Sequence, residues 1–109
     1  MNVIVDLPAV RPGRLADGVA AADLSEHVRA FRAVLHGACA EPLPDGVRLV
    51  LRLDVRGIAR LADLVRAEAD ALPFFGFRLL AEPPACWLEV TGAGRGGEIA
   101  RAVFGELGA

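Results

Sequence analysis

Between Val47 and Val90 the spacing of apolar residues changes from two to about 3.6 and back to two, which admits few folds. Val47, Leu49, Leu51 and Leu53 alternate with Arg48, Val50 and Arg52, which predicts a strand with one wet face. Asp54 is placed to cap a following helix. Ile58, Leu61, Ala62, Val65, Ala69 and Leu72 line one side of it, and Pro73 stops it. Phe75, Phe77 and Leu79 then share one face of a second strand, which Glu82-Pro83-Pro84 ends. Cys86, Leu88 and Val90 alternate with Trp87 and Glu89 in a third. A chain that switches period in this way lays a helix across an antiparallel sheet.

The flanks extend the pattern. Leu24, Val28, Phe31, Leu35 and Ala38 recur at helical spacing from about Asp23 or Ser25, and Gly37 with Glu41-Pro42-Leu43-Pro44 ends that helix. Asp45-Gly46 reads as a turn. Ile99, Ala100, Val103, Phe104 and Leu107 make a last helix after a glycine loop. Residues 2–7 fit a short edge strand that Pro8, Pro12 and Gly13 soon end. The expected fold is a single α+β domain over residues 1–109, with residues 1–20 as an N-terminal extension. Its order is α-β-α-β-β-α: a three-stranded antiparallel sheet with helices packed on one face.

Composition excludes several functions. Apolar residues make up 54% of the 109, and the net charge is −2. This suits a packed core and gives no basic surface for nucleic acid. All 12 cationic residues are Arg. No apolar stretch reaches the ~20 residues of a membrane span. Met1-Asn2-Val3-Ile4-Val5-Asp6 lacks the basic start of a signal peptide. The reading is a cytoplasmic protein. Cys39 and Cys86 form no C-x-x-C pair, so both are expected as buried thiols acting as small hydrophobes.

Gly92-Ala93-Gly94-Arg95-Gly96-Gly97 matches the G-x-G-x-x-G of dinucleotide sites. Too little chain follows it to complete a βαβ unit or to supply an acid for a ribose, so a turn into the last helix is the expected role. His27 flanks the apolar stripe of the first helix and His36 points to solvent, so the two make no joint metal site. Glu68 lies among Leu61, Leu64, Val65 and Leu72 on the helical wheel. A carboxyl group against apolar neighbours is disfavoured in its charged form, which suits a general acid or base. Phe75 and Phe77 are expected on the core face of their strand. Phe74 is expected with Leu80 and Trp87 on the opposite face, beside Arg48, Arg52, Arg78 and Glu89. Such a mixed aromatic and Arg-rich face suits a dimer interface or a ligand floor.

Leu43-Pro44-Asp45-Gly46-Val47-Arg48, Glu68-x-x-Ala71-Leu72-Pro73-Phe74-Phe75-Gly76-Phe77 and Trp87-Leu88-Glu89-Val90-Thr91 together resemble a group of small actinobacterial proteins. In that group the middle segment reads Glu-x-x-Cys-Cys-Pro-Phe-Phe-x-Phe, and some members stand beside, or are fused to, mercury-responsive regulators. The resemblance implies a soft-metal-handling fold over roughly residues 20–107. Ala71 and Leu72 replace the two thiols, so metal binding is not expected here, and neither is any other cofactor. Two functions follow. One is a small-ligand-binding or dimerisation module that uses Phe74, Phe75, Phe77, Trp87 and His27 to hold a small organic molecule or form a homodimer. The other is a small cofactor-free enzyme (an isomerase, cyclase or lyase of a specialised biosynthetic pathway) with Glu68 as general acid or base.

Overall fold

A computed structural model describes residues 2–9 and 21–106, the stretch 21–27 by its backbone alone. Eight elements run in the order β-α-β-β-α-β-β-α: β1 (Asn2–Leu7), α1 (Ala21–Leu35), β2 (Cys39–Leu43), β3 (Gly46–Arg52), α2 (Val55–Ala69), β4 (Gly76–Glu82), β5 (Ala85–Thr91) and α3 (Arg95–Gly105). The strands form one antiparallel sheet in the order β1-β4-β5-β3-β2. The expectation of a three-stranded sheet in the order α-β-α-β-β-α is thereby overturned. β1, which the sequence offered as an edge strand, is built into the sheet against β4. β2 lies where Glu41-Pro42-Leu43-Pro44 had been read only as the end of a helix. The error there has a physical cause: Pro42 is tolerated because β2 is an edge strand and its missing N–H faces no neighbour.

Local chemistry explains the helix boundaries. Asp54 caps α2 as its position suggested, its carboxylate accepting the Gly57 N–H at 2.7 Å. α1 stops at Leu35, and Gly37 at φ +84° turns the chain back into β2 through the Ala38 N–H bonded to the Leu35 carbonyl. α3 begins within the glycine loop, so Gly96 and Gly97 are helical. Pro12, Gly13 and Leu107 lie outside the described residues, as do the side chains of Leu24 and His27.

Directly paired residues of an antiparallel sheet share a face. One face carries Val5, Leu79, Leu88 and Leu49 in one row and Phe77, Val90 and Val47 in the next, all buried. Val28, Phe31 and Leu35 of α1, Ile58, Leu61 and Val65 of α2 and Phe104 of α3 complete this core. Four rings meet at its centre. Phe104 lies 5.5 Å from Phe31, 5.7 Å from Phe75 and 6.0 Å from Phe77, each at an edge-on angle. The described helices therefore cover one face of the sheet, and the sheet's other face carries the chemistry below.

Candidate functional site

The face away from the helices is ordered in rows across the strands. One row is Asp6, Arg78, Glu89, Arg48 and Glu41, contributed in turn by all five strands and alternating in sign. Glu89 sits at its centre and uses both carboxylate oxygens. Arg48 donates from Nε and Nη2 to Oε2 at 2.9 and 2.8 Å, and Arg78 Nη1 stands 3.8 Å from Oε1. The Glu89 side chain is 13% exposed, which makes its charge-assisted bonds stronger than those of a fully solvated pair. At its centre Glu89 pairs with Arg48 and Arg78, and the alternation of sign offers no run of cations to an anionic polymer.

The next row is Val3, Leu80, Trp87, Val50 and Cys39, apolar from edge to edge. Val3 is exposed, and Leu80, Trp87 and Val50 are half-buried. The Arg48 guanidinium lies 5.0 Å from the Trp87 ring centroid, so the ring holds the cation that also pairs with Glu89. The third row holds Glu82, Ala85 and Arg52.

The structure places Leu80 and Trp87 of the sequence-derived site on this face, together with Arg48, Arg52, Arg78 and Glu89. Phe74 is not there. It lies in the turn before β4, is 3% exposed, and packs edge-on against Phe75 at 4.8 Å. The expectation failed because strand alternation was extended one turn too far: β4 starts at Gly76. Phe75 and Phe77 are core residues. His27 belongs to α1, with its side chain outside the described residues. Glu68 is half-buried near the end of α2.

Among the described residues, two grooves beside the sheet stand out. One, of about 270 Å³, runs between the end of β1 and α2 and is lined by Leu7, Pro8, Arg66, Ala69, Asp70, Pro73 and Phe75. The other, of about 520 Å³, lies at the α1–β2 junction and includes His36, Cys39, Val50 and Arg52. Glu68 lines neither. Among the described residues no group of three His, Cys, Asp or Glu stands together as a metal site.

The cysteines differ from each other. Cys86 is buried, whereas Cys39 is exposed, contrary to the expectation of two buried thiols. Burial pushes the Cys86 thiol up from 9.0 to about 11. Near neutral pH, iodoacetamide should therefore modify Cys39 alone in the native protein, and both thiols after denaturation. Between pH 9 and 11 the unfolded chain releases the Cys86 proton and the folded chain keeps it. The contribution of this group to stability is thus present below pH 9 and lost as pH rises to 11, by about 2–3 kcal/mol at most. Urea titrations of wild type and Cys86→Ala from pH 8 to 11 should show the stability gap closing; parallel curves would contradict it.

The glycine loop has a packing role. The Gly92 N–H donates to the Asp45 carbonyl at 2.8 Å, tying the β5–α3 loop to the β2–β3 turn. A Cβ on Gly97 would lie 2.7 Å from that carbonyl oxygen, and one on Gly92 would lie 2.7 Å from the Gly96 carbonyl carbon. Arg101 of α3 adds a bond from Nη1 to the Leu43 carbonyl at 2.6 Å. These glycines admit backbone against backbone, which accounts for the motif without a phosphate.

Sequence reasoning missed Asp6, Glu41, Val3 and Cys39 as parts of the open face. Only the register of β1 and β2 brings them there. Comparison with protein-family models, curated proteins and solved structures finds no match.

Proposed function

We propose that the chain is a non-catalytic association module whose open sheet face takes a second copy of itself. The observation that carries this reading is the Val3–Leu80–Trp87–Val50–Cys39 row, an apolar line beside a charge row whose central Glu89 already pairs with Arg48 and Arg78. The sheet edges are poor alternatives. β2 carries Pro42, and β1 has a register shift between Val3 and Val5, both of which hinder strand addition. Five strands of up to seven residues present a flat footprint of roughly 500 Å², whose side-chain relief brings the accessible area toward the ~800 Å² per partner of a standard interface. In this reading the resemblance to soft-metal proteins reflects a fold kept after its thiol pair was lost. The free thiols suit a reducing compartment, and we assign the protein to the cytoplasm. No helix among the described residues is long and apolar enough to cross a membrane.

Light scattering at high micromolar concentration should give twice the 11.5 kDa chain mass. Trp87→Glu should give a single chain with unchanged circular dichroism, because Trp87 lies outside the helix-covered core. A wild-type mass of one chain would overturn the proposal. If an apolar dye then bound to the monomer and lost affinity in Trp87→Glu, the face would belong to a small organic molecule instead.

A further inference from the structure

At the α1–β2 junction we infer a site for a small organic anion, a carboxylate on an apolar body, with Arg52 as the group that receives the charge. The inference is independent of the association proposed above. Its starting point is how the sheet surrounds its outward arginines. Arg48 stands between Glu41 and Glu89 across the strands, and Arg78 stands between Asp6 and Glu89. Arg52 has Ala85 on one side. On its other side β2 begins only at Cys39, opposite Val50, so no strand residue faces Arg52. Gly37 turns the chain there at φ +84° and adds no side chain. Glu82 shares the row but stands two strands away, roughly 10 Å. Asp54 spends a carboxylate oxygen on the α2 cap. Among the described residues Arg52 therefore has no ion pair and no side-chain hydrogen bond.

The space left beside Arg52 is the groove of about 520 Å³, a volume within the range of small-molecule sites. Val34 at the end of α1 and Leu51 and Leu53 at the end of β3 give it apolar walls, and His36 adds a polar ring. Among the described residues no Asp or Glu lines it. An acid-free groove with one uncompensated guanidinium selects for negative charge. The planar guanidinium presents parallel N–H donors that match the two oxygens of a carboxylate. A single such cation balances one charge, which suits a carboxylate better than a doubly charged phosphate. The apolar body of the ligand would lie on the aliphatic walls, and removing both from water adds affinity that a bare inorganic anion lacks.

Cys39 lines the same groove and is exposed, so its reactivity reports whether the groove is filled. It is the diagonal neighbour of Arg52 across β2 and β3, which sets the two Cα atoms roughly 7–8 Å apart. The probe is naphthoate, and the readout is the rate at which Cys39 reacts with the uncharged disulfide dithiodipyridine, while Cys86 is buried and stays silent. Naphthoate should slow this reaction severalfold, with half its effect at about 1 mM or below, and acetate at equal concentration should not. Arg52→Gln should raise the half-effect concentration roughly tenfold, the change expected for one charge-assisted bond, and Arg52→Lys should raise it less. Trp87→Glu should leave the protection unchanged, since Trp87 does not line the groove. No protection in wild type, or equal protection in wild type and Arg52→Gln, would overturn the inference. Protection lost in Trp87→Glu and kept in Arg52→Gln would place the ligand on the apolar row and would overturn it as well. A wild type of single-chain mass overturns the association alone, because the protection is read in the same way on one chain.

Discussion

Phe104→Ala should lower the unfolding free energy by about 3–5 kcal/mol. Phe104 is fully buried in α3, and its ring meets three others from different elements: Phe31 of α1, Phe75 before β4 and Phe77 within β4. Removing it deletes the transfer free energy of the ring, leaves a cavity that three rigid neighbours cannot close, and removes three edge-on aromatic contacts. Total stabilities of small domains are only ~5–15 kcal/mol, so this variant should stand close to unfolding at room temperature. The check is a urea titration, in which the midpoint should fall while the slope stays constant. Phe74→Ala should cost less, because Phe74 has a single ring partner, Phe75. If Phe104→Ala cost under about 1 kcal/mol, the four-ring junction would not be what holds α3 to the sheet.

Gly97→Ala should destabilise the protein by about 1–3 kcal/mol although it improves helix propensity. Alanine in a helix gains up to about 1 kcal/mol over glycine. Against that, the new methyl would stand 2.7 Å from the Asp45 carbonyl oxygen and 2.8 Å from its carbon. These atoms are backbone, and the oxygen is held by the Gly92 N–H, so the turn cannot yield without losing that bond. Steric cost therefore exceeds the propensity gain. Gly105→Ala supplies the opposite sign within the same helix. Among the described residues nothing lies within 4 Å of its would-be Cβ, and the substitution should be neutral or stabilising by up to about 1 kcal/mol. Chemical denaturation of both variants is the test, and a stabilised Gly97→Ala would remove the packing explanation of the glycine loop.

Much of this architecture is legible in the chain. The alternation of Val47–Leu53 and of Cys86–Val90, and the stripe Ile58–Val65, identify β3, β5 and α2 because each buries one face against a continuous core. Asp54 marks the start of α2 through a hydrogen bond that needs no tertiary partner. What escapes such reading depends on contacts distant in sequence. β2, with the burial pattern of a mostly exposed strand, has no alternation to show, and it is a strand only because β3 pairs with it. β1 has a register shift and meets β4 some seventy residues away. The candidate face was visible in β3, β4 and β5, which supply Arg48, Arg78, Leu80, Trp87 and Glu89. Its completion into five-residue rows was not, since Asp6, Glu41, Val3 and Cys39 come from the two edge strands. Phe74 was misplaced because the backbone turns before Gly76, a feature that residue type alone does not fix.

Trp87 is the single tryptophan of the chain and stands at the centre of the apolar row, so its fluorescence reports directly on whether that row is covered by a second copy. Emission is followed while the protein is diluted from high micromolar to nanomolar concentration. The account predicts a blue-shifted maximum at high concentration that moves to the red through one transition on dilution, coincident with a halving of the mass from two chains to one. An emission maximum that stays constant across the range, with the mass of a single chain throughout, would contradict it.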